Sequence, residues 1–318
     1  MEPTKYYSLL YIDQVRNRNI NLAAGSDPID IYLACASLCA KTFRLSGESF
    51  CLITNDTNEV QRRLERLGLG DLPFVSFEFL LQVPQEIPFY SAHFKLDLFR
   101  GFGSGEFGRR VGFVDLDTVL LRGLPKRGDL GVYDISDQVV PIYKQHRITA
   151  DLNKVSGKSI PEARWYGGEF LSGSASMFRI ISTYVEEFWE NYIQNVASLV
   201  HVGDEMVMSA ALNCARLDGV SLVDYGELGS VARWWTSRTQ HQQHPFDAIK
   251  RSALLHLPAD KLFLAKQAKS PFETEAFLRK FRAYARRRCI PRRILYLCEA
   301  LLREPKQFPP VLTGSFRE

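Results

Sequence analysis

The sequence predicts an α/β protein built on a mostly parallel, doubly wound central sheet. Three observations carry that expectation. From Tyr6 to Leu80, short apolar runs alternate with segments of helical spacing, the order that βαβ units produce. Asp13, Asn55 and Asp117 each close an apolar run, and ligands of open parallel sheets gather beyond such strand ends. At 318 residues the chain suffices for one large domain with an appendage.

Taken in order, Tyr6 to Ile12 reads as a buried first strand that ends at Asp13. Ser26 or Asp27 caps an apolar helix from Pro28 to Phe43. Phe50 to Thr54 is a second strand, closed by Asn55-Asp56. Thr57 to Leu67 spaces Val60, Leu64 and Leu67 along one helix face and stops at Gly68. Pro73 to Leu80 reads as a third strand and Ser91 to Phe102 as a helix. Gly103 to Gly108 formally matches a dinucleotide-binding fingerprint. It leaves a helix and opens a strand, the reverse of the order that motif needs, and is read as a connection.

The next stretch is Val111-Gly112-Phe113-Val114-Asp115-Leu116-Asp117-Thr118-Val119. Side chains at i and i+2 of a strand share a face, so Asp115 and Asp117 are expected to converge where the strand ends. Two carboxylates that close repel each other unless a cation lies between them. A hard divalent ion that also holds phosphate oxygens suits the pair. The alternative is a plain strand end at which Asp117 starts a turn.

Gly123 to Ala163 reads as loop-rich, with one strand at Gly131–Tyr133. Trp165 to Ser174 carries the pair Gly167-Gly168, which lets backbone approach a ligand closely beside Glu169; a β-bulge is the alternative. Ala175 to Phe178 and a helix around Ile181–Tyr192 follow. Another helix opens at Gly203-Asp204-Glu205 and runs to Asn213, with Asp204 expected as its N-cap. Ser221 to Tyr225 reads as a strand, followed by a polar loop with Trp234, Trp235, His241 and His244. Those histidines have no acid or cysteine beside them and are not read as ligands. His256 emerges from the apolar strand Ala253–Leu257, and Lys261 follows it. The pair fits one metal ligand plus one phosphate contact, or else a satisfied core histidine.

The net charge of +4 is uneven. Arg279, Lys280, Arg282, Arg286, Arg287, Arg288, Arg292 and Arg293 contribute eight positive charges, which leaves 4 − 8 = −4 elsewhere. From Phe272, helical apolar spacing (Phe277, Phe281, Tyr284) interleaves with these arginines, Pro291 is expected to break the helix, and Ile294 to Leu302 forms a further amphipathic stretch. Residues 272–302 thus suit an anionic membrane surface, at about 1 kcal/mol per basic residue near the headgroups. A solvated face and nucleic acid compete with that reading, and no nucleic acid is expected. Six scattered cysteines without a CxxC pair read as reduced thiols. Met1–Lys5 lacks a signal-peptide layout and no apolar run reaches the length of a membrane span. A cytoplasmic protein, peripheral at the cytosolic face of a membrane, is the expectation.

The ordered set Lys95-Leu96 on a helix, Asp115-Leu116-Asp117, Tyr166-Gly167-Gly168-Glu169, Gly203-Asp204-Glu205, then His256 and Lys261 resembles nucleotide-sugar glycosyltransferases of the GT-A fold. The likeness is strongest to family 8, which includes glycogenin and the lipopolysaccharide galactosyltransferases. It runs from Tyr6 to about Lys261, which implies a GT-A domain over 1–265 and a basic amphipathic helical extension over 266–318. It also implies that Asp115, Asp117 and His256 hold Mn²⁺ or Mg²⁺. Lys95 and Lys261, with Gly167 and Gly168, would contact the donor's phosphate or sugar, and Tyr11 and Asp13 would lie near the nucleotide. Glu169, Asp204 and Glu205 would face donor sugar and acceptor as the catalytic group. The reaction implied is hexose transfer, with retention, from a UDP-sugar to a glycan or glycolipid such as a bacterial surface polysaccharide.

Two other classes compete. Asp115-Leu116-Asp117-Thr118-Val119 also fits the haloacid-dehalogenase-type phosphatase pattern, with Asp115 as nucleophile and Asp117 as general acid. That family opens with this motif near its N-terminus, whereas here it arrives after two or three strands. A non-catalytic membrane scaffold would need the metal pair or the lysines to be broken, and all are present.

Overall fold

The computed structural model describes residues 2–13, 27–237, 239 and 241–302, with side chains of the last helix described as far as Arg288. Strand β1 (Lys5–Leu10) is buried from Tyr6 onward, as an interior strand covered on both faces must be. Helix α1 (Pro28–Leu45) starts where Asp27 accepts the Ile29 N–H at 2.9 Å and Pro28 takes the first helical position. Next come β2 (Ser49–Thr54) and α2 (Thr57–Leu67), the latter capped by Asp56 and ended by Gly68 in the left-handed region, φ 66°. After β3 (Phe74–Ser76), a one-turn helix, Tyr90–His93, leads into α3 (Phe94–Ser104), β4 (Arg110–Val114) and β5 (Thr118–Leu120).

The stretch expected to be loop-rich differs. Besides β6 (Leu130–Asp134) it folds α4 (Ser136–Tyr143) and α5 (Gln145–Ser156). Ile148, Leu152 and Val155 are fully buried, at the i, i+4, i+7 spacing of a helix face. Strand β7 (Tyr166–Ser174) passes directly into α6 (Ala175–Asn195), whose cap is Ser174. In α7 (Asp204–Leu217) the cap is Gly203, not Asp204. The chain continues through β8 (Leu222–Asp224), β9 (Val231–Arg233), α8 (Phe246–Ile249), β10 (Leu254–His256), α9 (Lys261–Gln267) and α10 (Thr274–Leu302). Helix α10 runs through Pro291 instead of breaking. A proline deletes one ladder hydrogen bond, and the flanking turns carry the helix on.

The central sheet has seven strands in the order β3-β2-β1-β4-β7-β6-β8. All neighbours are parallel except β7, which is antiparallel to both β4 and β6. A second sheet, β5-β10-β9, lies beside it. Asp115-Leu116-Asp117 is therefore the turn that hands the chain from one sheet to the other. The expected boundary at residue 265 falls inside α9. The first turns of α10 are part of the core: Phe277, Phe281 and Ala285 are buried at i, i+4, i+8, and Phe281 packs on Trp234, Phe246 and Phe263. Its basic residues from Arg279 to Arg288 face solvent. Among the described residues no helix is long and apolar enough to cross a membrane, and Cys35, Cys39, Cys51 and Cys214 are free and buried.

Candidate active site

The turn between the sheets is pinned at both ends. Asp115 N–H donates to the Glu169 carbonyl on β7 at 3.2 Å, and Thr118 Oγ1 donates to the Asp115 carbonyl at 2.8 Å. Strand β10 pairs antiparallel with β5, setting His256 opposite Thr118, and Leu257 N–H donates to the Asp117 carbonyl at 3.0 Å. Asp115, Asp117 and His256 thereby offer donor atoms that all lie within 4.8 Å of one another. The two acids converge as anticipated, but by a turn between sheets rather than by the pleat of one strand.

His256 Nε2 faces this pair, 3.1 Å from Asp117 Oδ1 and 3.7 Å from Asp115 Oδ2. Its Nδ1 lies 3.3 Å from Glu169 Oε1, an ionic contact without hydrogen-bond alignment. A carboxylate behind a ligating imidazole is the usual support of a metal-bound histidine. Two carboxylate oxygens and one imidazole nitrogen suit a divalent metal ion.

The surrounding charges fit that assignment. Lys95 on α3 lies 2.8 Å from Asp115 Oδ1 and 3.0 Å from Asp204 Oδ2, and donates to the Gly168 carbonyl at 3.2 Å. Lys261, at the start of α9, lies 2.5 Å from Asp117 Oδ2 and donates to the Pro258 carbonyl at 2.8 Å. Five carboxylates (Asp115, Asp117, Glu169, Asp204, Glu205) meet three fixed cations (Lys95, Lys261, Arg233). With His256 neutral, 3 − 5 = −2, which one divalent ion cancels. Without the ion, His256 itself takes up charge: burial opposes protonation, but Asp117 and Glu169 reverse it and raise its pKa to about 10. Burial likewise opposes the ionised form of Asp117, and Lys261 and His256 outweigh it, holding that carboxyl far below the usual range.

Asp204 and Glu205 complete the wall. Asp204 makes no cap hydrogen bond; its carboxylate meets Lys95. Glu205 accepts from Trp165 Nε1 at 2.9 Å and from Gly168 N–H at 3.2 Å. Burial would raise its pKa, but Arg233 and His201 win and lower it to about 2. Gly168 leaves room for these acids, since a Cβ there would meet Asp204 Oδ2 at 2.7 Å. A Cβ on Gly167 would collide with the Glu169 carboxylate.

No protein-family model and no curated protein matches the chain. Solved structures do. A galactosyltransferase, LgtC, in complex with donor and acceptor sugar analogues matches at 13% identity and a TM-score of 0.47, covering 86% of this chain and all (100%) of that one. An active-site mutant of LgtC matches at 13% identity and 0.47, covering 85% and 98%.

The structure adds a residue that the sequence did not single out. Arg233, at the end of β9, is 4% exposed and sits between two acids, 3.3 Å from Glu205 Oε1 and 3.7 Å from Glu169 Oε1. Its Nε donates to Gln138 Oε1 at 3.1 Å, and a terminal nitrogen donates to His241 Nδ1 at 2.8 Å. Burial and the neighbouring guanidinium depress the His241 pKa to about 4, so the ring is neutral and accepts. An arginine ending an apolar Val-Ala run was the available signal. Tyr11 stacks on Phe94 at 3.8 Å and 9°, at the end of β1, where Asn55 brackets the Ile12 backbone. Asp13 is the last described residue before 14–26.

Proposed function

We propose that the chain transfers a hexosyl group, with retention, from a UDP-sugar to a glycan or glycolipid acceptor at the cytosolic face of a membrane. The carrying observation is the cluster of Asp115, Asp117 and His256 with a lysine on each acid, Lys95 partly buried and Lys261 buried. Breaking the donor's glycosidic bond leaves negative charge on a nucleoside diphosphate. A divalent ion held by Asp115, Asp117 and His256 would neutralise that charge. Lys95 and Lys261 add preorganised positive charge beside the same two acids. Asp204, paired with Lys95, and Glu205, kept ionised by Arg233, face the donor sugar and stabilise the positive charge that develops on its ring. Glu169 holds the His256 ring in orientation. Tyr11 and Asp13 lie toward the nucleotide, and Gly167 and Gly168 toward the donor sugar. The exposed basic residues of α10 supply attraction to anionic lipid.

The test is sugar release from a panel of nucleotide sugars with and without Mn²⁺, for the wild type and Asp117→Asn. Release from one donor, dependent on the metal and reduced at least a hundredfold in the variant, is expected. Absence of release, or full activity of Asp117→Asn, refutes the proposal.

A further inference from the structure

One aromatic side chain sits half-exposed on a left-handed backbone position. Phe89 precedes the one-turn helix Tyr90–His93 in the left-handed region, φ 58°, a conformation bulky L residues adopt only under constraint. Half its surface (50%) is exposed, so the ring gains little from burial. What holds it is its carbonyl, which accepts the Ala92 N–H at 2.8 Å and lies 3.1 Å from His93 Nδ1. His93 is fully buried, and burial depresses its pKa. The neutral ring therefore donates from Nδ1 and accepts the Tyr192 hydroxyl at Nε2, 2.8 Å. The same hydroxyl accepts the Gly203 N–H at 3.0 Å. A continuous buried chain of hydrogen bonds thus ties Phe89 to the cap of α7, immediately before Asp204 and Glu205.

The ring's own contacts lead to the same acids. Phe89 stacks on His201 at 6.4 Å and 21°. His201 meets Trp165 edge-on at 5.3 Å, and Trp165 donates to Glu205. The next residue belongs to a different group: Tyr90 packs on Tyr11 and Phe94 at 6.1 and 5.3 Å. One aromatic group therefore stands at the end of β1, and a second, Phe89 with His201, at the entry to α7.

We infer that Phe89 and His201 form the acceptor subsite, an aromatic shelf on which a pyranose ring of the acceptor stacks beside Glu205. The inference rests on the transferase reading above. The C–H edge of a pyranose face packs favourably on the negative face of an aromatic ring. A ring already locked by its backbone loses little freedom on binding, which gives the strained, exposed position a physical use. Trp165, itself buried, connects His201 of the shelf to Glu205.

Wild type and the variants Phe89→Ala, Phe89→Trp and Phe89→Gly would be assayed with the active donor and with lactose, maltose or cellobiose as acceptor, and melted in parallel. Phe89→Ala should raise the half-saturating concentration of the accepted disaccharide about five- to tenfold, the size of one ring-stacking contact. Phe89→Trp should keep it within about twofold. Phe89→Gly should lose as much as alanine does while melting no lower than the wild type, because glycine relieves the left-handed strain. Unchanged half-saturation in the alanine and glycine variants overturns the inference. So does a wild type that hydrolyses donor yet accepts none of the three disaccharides, or a glycine variant that melts several degrees lower. A wild type that releases no sugar from any donor sinks the transferase reading instead.

Discussion

Replacing Arg233 by methionine would expose the electrostatic logic of the site without touching a proposed metal ligand. The guanidinium lies 3.3 Å from Glu205 and 3.7 Å from Glu169, and it is itself buried. Glu205 has a pKa of about 2 against an ordinary 4.5, burial opposing the shift and Arg233 leading the groups that cause it. At about 1.4 kcal/mol per pKa unit, that depression contributes about 3 kcal/mol at neutral pH. Breaking a buried pair costs about 3–5 kcal/mol by independent precedent, so the two magnitudes agree. At about 2 °C per kcal/mol for a chain of this size, Arg233→Met should melt about 6–10 °C below the wild type at pH 7. The sign with pH is fixed. A depressed carboxylate contributes stability above its unfolded pKa of about 4.5 and loses it as pH falls toward 2. In the variant, burial of both glutamates loses its leading opposing cation, both protonate at higher pH, and the penalty shrinks. The gap in Tm between wild type and variant, followed by circular dichroism from pH 7 to pH 4, should therefore narrow. A variant within about 1 °C of the wild type at pH 7, or a gap that widens on acidification, would refute the reasoning.

Metal binding should release a proton from His256, because the imidazole is protonated in the metal-free site and ligates only when neutral. Calorimetry of Mn²⁺ binding at pH 7 in two buffers of different ionisation enthalpy measures this, and affinity should rise with pH toward 10; zero release argues against His256 as ligand. Reversing Arg279, Lys280, Arg286 and Arg287 to glutamate should cut binding to anionic vesicles by at least tenfold in a co-sedimentation assay, at about 1 kcal/mol per charge near the surface. These residues are exposed, whereas truncation after Phe272 would strip Phe277 and Phe281 from the core and confound the result.

The first half of the fold was legible because its signals are local. Asp27, Asp56 and Gly68 mark helix ends through bonds within a few residues. The stretch from Gly123 to Ala163 was harder. Pro141 lies inside α4, where a proline reads as a breaker, and α5 mixes polar residues into its burial pattern, so neither helix declared itself. At the site, the sequence names residues but not their geometry. Asp115 and Asp117 converge through a turn between two sheets, and that turn depends on the pairing of β5 with β10, far along the chain. Asp204 is chemically a good cap, and its actual role follows from Lys95, which lies on another helix. An arginine closing an apolar run was the one signal for Arg233, and its partners could not be read, since Glu169, Glu205 and Gln138 meet it only through the folded sheet.

The lysines sharpen what metal and donor must each do. Lys261 neutralises Asp117 in the absence of any ion, so an incoming cation competes with it for one carboxylate, while a donor pyrophosphate offers the ammonium a new anion. Removing Lys261 should consequently separate the two ligands. In Lys261→Met, Asp117 keeps His256 as partner but loses its strongest stabilising cation, so the metal-free protein should melt lower. Mn²⁺ alone should bind about tenfold tighter than to the wild type and should raise the Tm further, since a ligand stabilises in proportion to its affinity for the folded state. The donor, lacking the ammonium, should show a KM raised about tenfold. Thermal shift with Mn²⁺ and donor titration at fixed Mn²⁺ measure the two arms on one preparation. Weaker Mn²⁺ binding in the variant would show that Lys261 supports the metal rather than competing with it. An unchanged donor KM would remove Lys261 from the phosphate site and leave that task to Lys95.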